Sequence, residues 1–205
     1  MKTKSKALLL SLCAVLLVVA SVMGTMAYLT STATVTNTFT VGDAVTITLD
    51  EAKVDPDGTP VADAARVTAN SYKLMPGHEY TKDPTVHVTG GECYVFVKVT
   101  NGLTGLEAET NTIEAQMEAK GWKAVTSVDG LYVYATGSEA KTAVSGDPTA
   151  TDLTVFEKFT IKDTAVRDDL TKASNIVIKA YAVQTDGFTE KTPYEIWNTA
   201  LKDLA

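Results

Sequence analysis

The sequence has few of the His and Cys residues that serve as metal ligands, bases and nucleophiles, and its 25 Asp and Glu residues single out no acid–base pair. The chain has 205 residues but only two His and two Cys. His78-Glu79 begins like the His-Glu-x-x-His helix of zinc proteases, in which two His one helical turn apart bind the metal. Lys82 stands where the second His is required, and the other histidine, His87, follows in a strand-like run. A metal held by His78 and His87 therefore depends on tertiary proximity, and the alternative is two histidines with ordinary hydrogen bonds.

Other chemical motifs are incomplete or absent. Asp55-Pro56-Asp57-Gly58 begins like a calcium loop, but the later Glu ligand is missing, so a simple turn is the plainer interpretation. The chain has no Gly-x-Ser-x-Gly and no Gly-rich phosphate loop after a strand. Cys93 lies in an apolar, alternating run, which is typical of a buried small side chain. We therefore expect a protein that is not an enzyme and needs no cofactor or metal.

The charge balance makes nucleic acid an improbable partner. The 18 Lys and Arg residues face 25 Asp and Glu residues, which gives a net charge of −7. The Lys residues are scattered, and the only arginines are Arg66 and Arg167. An acidic surface without a basic patch repels a phosphate backbone.

The N-terminal segment has the pattern of an export signal. Lys2, Lys4 and Lys6 precede a mostly apolar run over 7–23, and the small residues Thr25 and Ala27 follow. This pattern predicts cleavage between Ala27 and Tyr28, with an uncleaved membrane anchor as the alternative. We expect 1–27 to be a signal peptide and 28–205 to be a single domain. The protein would then contact the membrane only through the signal peptide, before cleavage.

Cleavage there would change the charge and the cysteine content. Residues 1–27 hold three Lys and no acid, so their removal leaves 15 basic and 25 acidic side chains, a net charge of −10. Cys93 is then the single cysteine and has no internal partner.

Apolar and polar residues alternate along much of the remaining chain, as in β-strands with one buried face. In 32–41 one face carries Val35, Asn37, Phe39 and Val41, and Thr residues occupy the other. The pattern resumes with Val45, Ile47 and Leu49. Further strands are predicted at 85–89, 93–100, 122–128, 131–136, 153–161 and 175–184, and the alternation in 153–161 changes phase near Phe156. Loops are predicted over 51–70 and 137–152. Asp129-Gly130 is predicted to be a two-residue hairpin turn between 122–128 and 131–136. The run 93–100 is apolar on both faces, which indicates a central strand.

Two helices are predicted beside the strands. The first covers 111–120, with Asn111 as N-cap and Gly121 as its end. The second begins at Thr192-Pro193-Tyr194-Glu195, a capping box with Pro at the first helical position. Its apolar residues recur at helical spacing: Tyr194, Trp197, Leu201 and Leu204. This stripe either docks a partner or packs on the protein's own sheet, and we favour its own sheet. The fold class predicted is all-β, a mainly antiparallel sandwich with a few short helices.

Several segments in this order resemble the TasA/camelysin family of exported bacterial proteins. The end of the signal, Gly24-Thr25-Met26-Ala27-Tyr28-Leu29-Thr30, is similar to the family's export site, which a dedicated signal peptidase of the endoplasmic-reticulum type cuts. Thr36-Asn37-Thr38-Phe39-Thr40-Val41-Gly42 and 45–51 resemble its first mature strands. Leu74-Met75-Pro76-Gly77 matches its Leu-x-Pro-Gly turn, and 180–188 with Trp197 resembles its closing strand and helix. The segment 105–165 does not align.

The resemblance implies a jelly-roll-like sandwich that is secreted to the cell surface or the biofilm matrix. Members of the family assemble into fibres, with the N-terminal segment of one subunit supplying a strand to the next. In this chain Val35, Asn37, Phe39 and Val41 would be the donated face, and an accessory matrix protein is a further expected partner. A free strand satisfies the unpaired edge of a neighbouring sheet. The alternative is that 32–41 is the first strand of the chain's own sheet.

Three functional hypotheses follow. The first is a structural fibre subunit, and the second is a monomeric secreted binding module. The third is a secreted metal-dependent protease of the camelysin type that uses His78, His87 and nearby carboxylates, although the sequence lacks the motif for that activity.

Overall fold

The structure is a computed structural model. It describes residues 44–146 and 150–204, together with Cys13, Val15 and Leu16. The contacts divide the chain into two units, Met1–Thr40 and Val41–Ala205. The predicted cleavage site at Ala27 and Tyr28, and the predicted strand over 32–41, lie outside the described residues. No helix in the described ranges has the length and apolar character needed to cross a membrane.

The second unit is built mainly of antiparallel β-strands, as the sequence predicts. The strands are β1 (Thr46–Asp50), β2 (Glu79–Thr81), β3 (Thr85–Thr89), β4 (Cys93–Thr100), β5 (Trp122–Ala124), β6 (Leu131–Tyr134), β7 (Thr151–Thr154), β8 (Lys158–Thr160) and β9 (Val177–Gln184). The helices are α1 (Ile113–Ala119), α2 (Arg167–Leu170) and α3 (Pro193–Ile196), and α3 continues as a π-helical turn (Trp197–Leu201) and a 3-10 turn (Lys202–Leu204).

The described strands form three antiparallel sheets. One has the order β1-β3-β7, the second has the order β5-β6-β4-β9, and β2 pairs with β8. In the first sheet Ile47 lies opposite Val88, and in the second Phe96 lies opposite both Val133 and Tyr181. Among the described strands, β1 and β9 therefore each end a sheet.

The two larger sheets share one apolar core. Val86 and Val88 of β3 and Val95 and Val97 of β4 are all fully buried in the same cluster. Alternate residues of these strands point to the same side, so each sheet contributes one face. Burial of the apolar side chains that meet there is the main stabilising contribution to the fold.

The opposite face of the four-stranded sheet is covered by the C-terminal helix. Tyr94, Phe96 and Tyr181 form a second core cluster with Ile196 and Trp197. The prediction that this helix packs on the protein's own sheet is therefore correct, and β4 is covered on both faces as its sequence indicates.

The buried stripe of that helix differs in part from the predicted one. The described structure buries Ile196, Trp197 and Leu201, whereas Tyr194 and Leu204 are 45% and 70% exposed. The π-helical turn over Trp197–Leu201 has more residues per turn than an α-helix, which changes the face on which the following Leu204 lies.

The start of α1 also differs from the prediction. Thr112, rather than Asn111, is the N-cap, and its hydroxyl accepts a hydrogen bond from the backbone N–H of Ala115. Asn111 instead adopts a φ of +56°, which Asn tolerates better than most residues. The helix ends before Gly121 (φ +91°), as the sequence predicts.

Two of the predicted strands differ from the structure by more than about two residues at an end. The strand predicted over 122–128 ends at Ala124, and Val125 N–H bonds the carbonyl of Leu131, so that 126–130 form the hairpin loop. Asp129 and Gly130 do occupy the centre of a turn, since Leu131 N–H bonds the carbonyl of Val128 at 3.3 Å, but this turn is part of that longer loop. The predicted strand 153–161 is two strands, β7 and β8, in different sheets. Val155, Phe156 and Glu157 separate them, which is where the alternation changes phase.

Candidate functional site

A cleft of about 960 Å³ opens beside the two strands that end the larger sheets. One wall contains Leu49, Glu51 and Tyr72, and the other contains Leu170 and the chain that leads into β9 up to Ile178. Strands β1 and β9 contact each other, and the cleft lies beside the end of β1 and the start of β9.

The apolar residues on the inward side of these two strands are only half buried. Val45, Ile47 and Leu49 on the inward side of β1 pack against the shared core but remain partly exposed. The same holds for Ile176 and the residues that alternate with it along β9, which are Ile178, Ala180 and Ala182. A strand that lacks a neighbour on one side leaves both its backbone groups and its inward side chains accessible there.

The floor of the cleft is polar. Glu51 continues the inward alternation of β1, and its carboxylate forms an ion pair with the ammonium of Lys82. Asn70 Nδ2 donates to Glu51 Oε1 at 3.0 Å, and Asn70 Oδ1 accepts from the backbone N–H of Val54. A buried ion pair needs such additional hydrogen bonds, since desolvation costs several kcal/mol per ion.

Tyr72 flanks this ion pair. Its hydroxyl donates to the carbonyl of Thr81 at 3.0 Å, and its ring lies 6.0 Å from Lys82 Nζ. Burial, and then the charges of Glu51 and Asp83, raise the pKa of Tyr72. The phenol therefore stays protonated and acts as a hydrogen-bond donor in the wall of the cleft.

Arg66 fastens the long connection after β1 to the sheet. Its guanidinium donates to Asp50 Oδ1 at 2.5 Å, to Asp83 Oδ2 at 2.9 Å and to Thr85 Oγ1 at 3.1 Å. Burial alone would raise the pKa of Asp50, but the hydrogen bonds from Arg66 and His87 lower it overall. The predicted surface loop 51–70 thus contains no regular strand, but Arg66 attaches it to the sheet through these hydrogen bonds.

Glu51, Asn70 and Lys82 were not among the site residues predicted from the sequence. Glu51 could have been found, because it stands two residues after Leu49 in an alternating series whose other members are apolar. Asn70 and Lys82 carry no such signal, since they lie in irregular segments that only tertiary packing brings to β1.

The predicted turn residues do not line the cleft. Pro76 and Gly77 form a turn in which His78 N–H bonds the carbonyl of Met75 at 3.3 Å, and Gly77 has a φ of +72°. The preceding Leu74 lines the cleft. The remaining predicted residues, Ala27, Tyr28, Val35, Asn37, Phe39 and Val41, lie outside the described residues.

The two histidines have different partners. His78 Nε2 donates to the backbone carbonyl of Asp57 at 2.7 Å. His87 lies between two carboxylates, with Nδ1 2.6 Å from Asp152 Oδ1 and Nε2 2.9 Å from Asp50 Oδ1. Within 44–146 and 150–204, no group of three or more His, Cys, Asp or Glu side chains is arranged to hold a metal ion.

Cys93 is fully buried in the shared core. Burial raises the pKa of its thiol to about 11. The thiolate is the reactive form of cysteine, so this side chain acts as a small hydrophobic residue.

A comparison of the chain with known protein families, curated proteins and solved structures finds no match. The geometry of the cleft and the sequence patterns are therefore the basis for assigning a function.

Proposed function

We propose that this protein is a secreted structural subunit of the cell surface or biofilm matrix, and that it assembles into fibres by donating its N-terminal strand to the cleft of the next copy. The observation that carries the proposal is the cleft itself. It lies beside β1 and β9, which end their sheets within the described structure and leave apolar inward residues half exposed.

The sequence contains a segment that is suited to cover such a surface. Residues 32–41 alternate, contain no charge and no Pro, and present Val35, Phe39 and Val41 on one face. Backbone hydrogen bonds to a free strand edge supply affinity, and alternate side chains in apolar pockets supply specificity. Such a segment is an aggregation hazard when it is left free, which favours a role in pairing.

The resemblance to the TasA/camelysin family supports the same function. The resemblance covers four features in the same order: the export signal, the alternating segment after it, the Leu-x-Pro-Gly turn, and the closing strand and helix. On this proposal the strands form a jelly-roll-like sandwich, a dedicated signal peptidase releases the protein at Ala27-Tyr28, and an accessory matrix protein takes part in assembly. The proposal includes no catalytic activity and no cofactor.

Electron microscopy and sedimentation velocity of the mature protein, beginning at Tyr28, test this function. We expect long polymers above a critical concentration. The matched control lacks residues 28–41, and it should remain folded by circular dichroism but stay monomeric. Monomers of the complete mature chain at all concentrations would contradict the proposal and favour a monomeric binding module. Chelator-sensitive proteolysis that is lost in His78→Ala would favour the protease.

If the deletion instead unfolds the domain, residues 28–41 belong to the chain's own sheet. A deletion variant that stays folded and still forms fibres would rule out strand donation as the mechanism of assembly.

A further inference from the structure

The buried ion pair is the feature of the cleft that an apolar strand alone does not satisfy. Glu51 and Lys82 are only 4% and 9% exposed, and both line the cleft. An ammonium group has three N–H donors, and among the described residues Lys82 Nζ has one hydrogen-bond partner, Glu51. A wholly apolar strand laid over the pair would exclude water and leave the other donors unsatisfied, which is costly.

The segment that we propose as the donor has one polar residue on its apolar face. Its alternating positions carry Val35, Asn37, Phe39 and Val41. A carboxamide offers an oxygen acceptor and two N–H donors. Its oxygen can accept from the ammonium of Lys82 while its NH₂ group donates to the carboxylate of Glu51, so the two surfaces are chemically complementary.

We propose that Asn37 of one copy binds the Glu51–Lys82 pair of the next copy and thereby sets the register of the donated strand. This inference rests on the proposed function. A slip of two residues would place Val35 or Phe39 over the ion pair and leave its polar groups unsatisfied. A slip of one residue would turn the Thr face inward. A single polar residue in an otherwise apolar interface is an established way to specify register.

The test compares two substitutions in the mature chain that begins at Tyr28. Asn37→Leu removes the carboxamide from the inward face, and Thr38→Leu places the same side chain on the opposite face of the same segment. We expect Asn37→Leu to raise the critical concentration for polymer formation at least tenfold by sedimentation. Thr38→Leu should leave it within about threefold of the wild-type value. Thermal melting by circular dichroism shows whether both variants fold.

Rescue provides a second, independent readout. Glu51→Leu with Lys82→Met replaces the ion pair by apolar side chains, and adding both to Asn37→Leu should restore polymer formation to within about threefold of wild type. If this triple variant does not fold, the comparison of Asn37→Leu with Thr38→Leu still decides the question.

The outcomes separate this inference from the proposed function. Wild-type and Asn37→Leu proteins that polymerise equally well would overturn the role of Asn37 and leave strand donation standing. A monomeric wild-type protein in which Asn37→Leu lowers the melting temperature would overturn both, because the segment would then belong to its own sheet.

Discussion

His87 Nδ1 lies 2.6 Å from Asp152 Oδ1, and this hydrogen bond joins β3 to β7. The other ring nitrogen lies 2.9 Å from Asp50 Oδ1 of β1. Because carboxylates only accept hydrogen bonds, a ring that bonds both of them carries two protons and a positive charge. One imidazolium therefore connects all three strands of the sheet that contains β1.

The stability of the domain should decrease as pH rises above 6.5, the ordinary pKa of histidine, because of His87. The hydrogen bond to Asp50 comes first among the causes that raise the pKa of His87 above its ordinary 6.5, and it outweighs the effect of burial. When the pKa of a histidine is higher in the folded state than in the unfolded state, its protonation stabilises the fold. This stabilisation is fully present below the unfolded-state pKa and is lost as pH rises through the folded-state pKa. We expect a loss of about 1 kcal/mol, a magnitude typical of partly exposed ion pairs.

Urea unfolding between pH 6 and 9 measures this effect. His87→Gln should be less stable at pH 6 and should lack the decrease, whereas His78→Gln, which changes the other histidine, should keep it. An unchanged slope in His87→Gln would contradict the imidazolium assignment. Asp50 acts in the opposite direction, because its lowered pKa gives stability that is lost only as pH falls below about 4.

Gly77→Val should destabilise the domain through the backbone alone. Gly77 has a φ of +72°, and its nearest neighbour, Asp163 Cβ, would lie 3.6 Å from an added Cβ, so there is space for a side chain. The cost of holding a β-branched residue at positive φ is at least ~1 kcal/mol. Gly77→Asn should cost less, since Asn tolerates this conformation. Equal melting temperatures for wild type and Gly77→Val would show that the turn is wrongly assigned.

Gly130 and Gly137 form a matched pair that separates backbone strain from steric clash. Both have positive φ, +65° and +60°, but a Cβ at Gly130 would lie 2.3 Å from the carbonyl oxygen of Val99, whereas Gly137 has no atom within 4 Å. We expect Gly137→Ala to cost about 1 kcal/mol of backbone strain. Gly130→Ala should cost clearly more in the same urea titration, because it must also displace β4, and an equal cost would refute the close approach.

Trp197→Ala should destabilise the domain by about 3–5 kcal/mol, as expected for a large aromatic residue removed from a core. The ring is 3% exposed and lies 5.2 Å from the ring of Tyr181 in an edge-to-face arrangement. Tyr194→Ala, in the same helix but 45% exposed, should change the free energy of unfolding by less than about 1 kcal/mol. Similar losses in both variants would mean that the helix packs through a different face.

Phe39→Asp should abolish polymer formation if residues 32–41 are donated. A charge on the inward face costs several kcal/mol unless it is paired. Thr38→Asp places the same charge on the outward face and should still polymerise, as measured by sedimentation. Polymers of Phe39→Asp at the wild-type critical concentration would exclude this face from the interface.

The alternation of side chains was enough to predict several elements from the sequence. Thr85–Thr89 and Cys93–Thr100 have the predicted bounds, because one run alternates and the other is short, apolar and rich in β-branched and aromatic residues, both of which favour a strand. The capping box at Thr192 and the end of helix α1 at Gly121 were also predictable, since both depend on hydrogen bonds and backbone angles within a few residues. Asn111 and Thr112 are both residue types that cap helices, so the sequence does not show which of the two is the N-cap of α1.

The sequence by itself therefore determined the antiparallel β-class of the domain, its central strand and its closing helix, because each of these follows from local periodicity. Only the tertiary structure decided that Glu51, Asn70 and Lys82 meet at the floor of one cleft, and that His87 lies between Asp50 and Asp152. These groups are brought together by strand order and by irregular segments. Partners far apart in the chain leave no periodic pattern in the sequence, because each contact depends on how the sheets pack rather than on nearby residues.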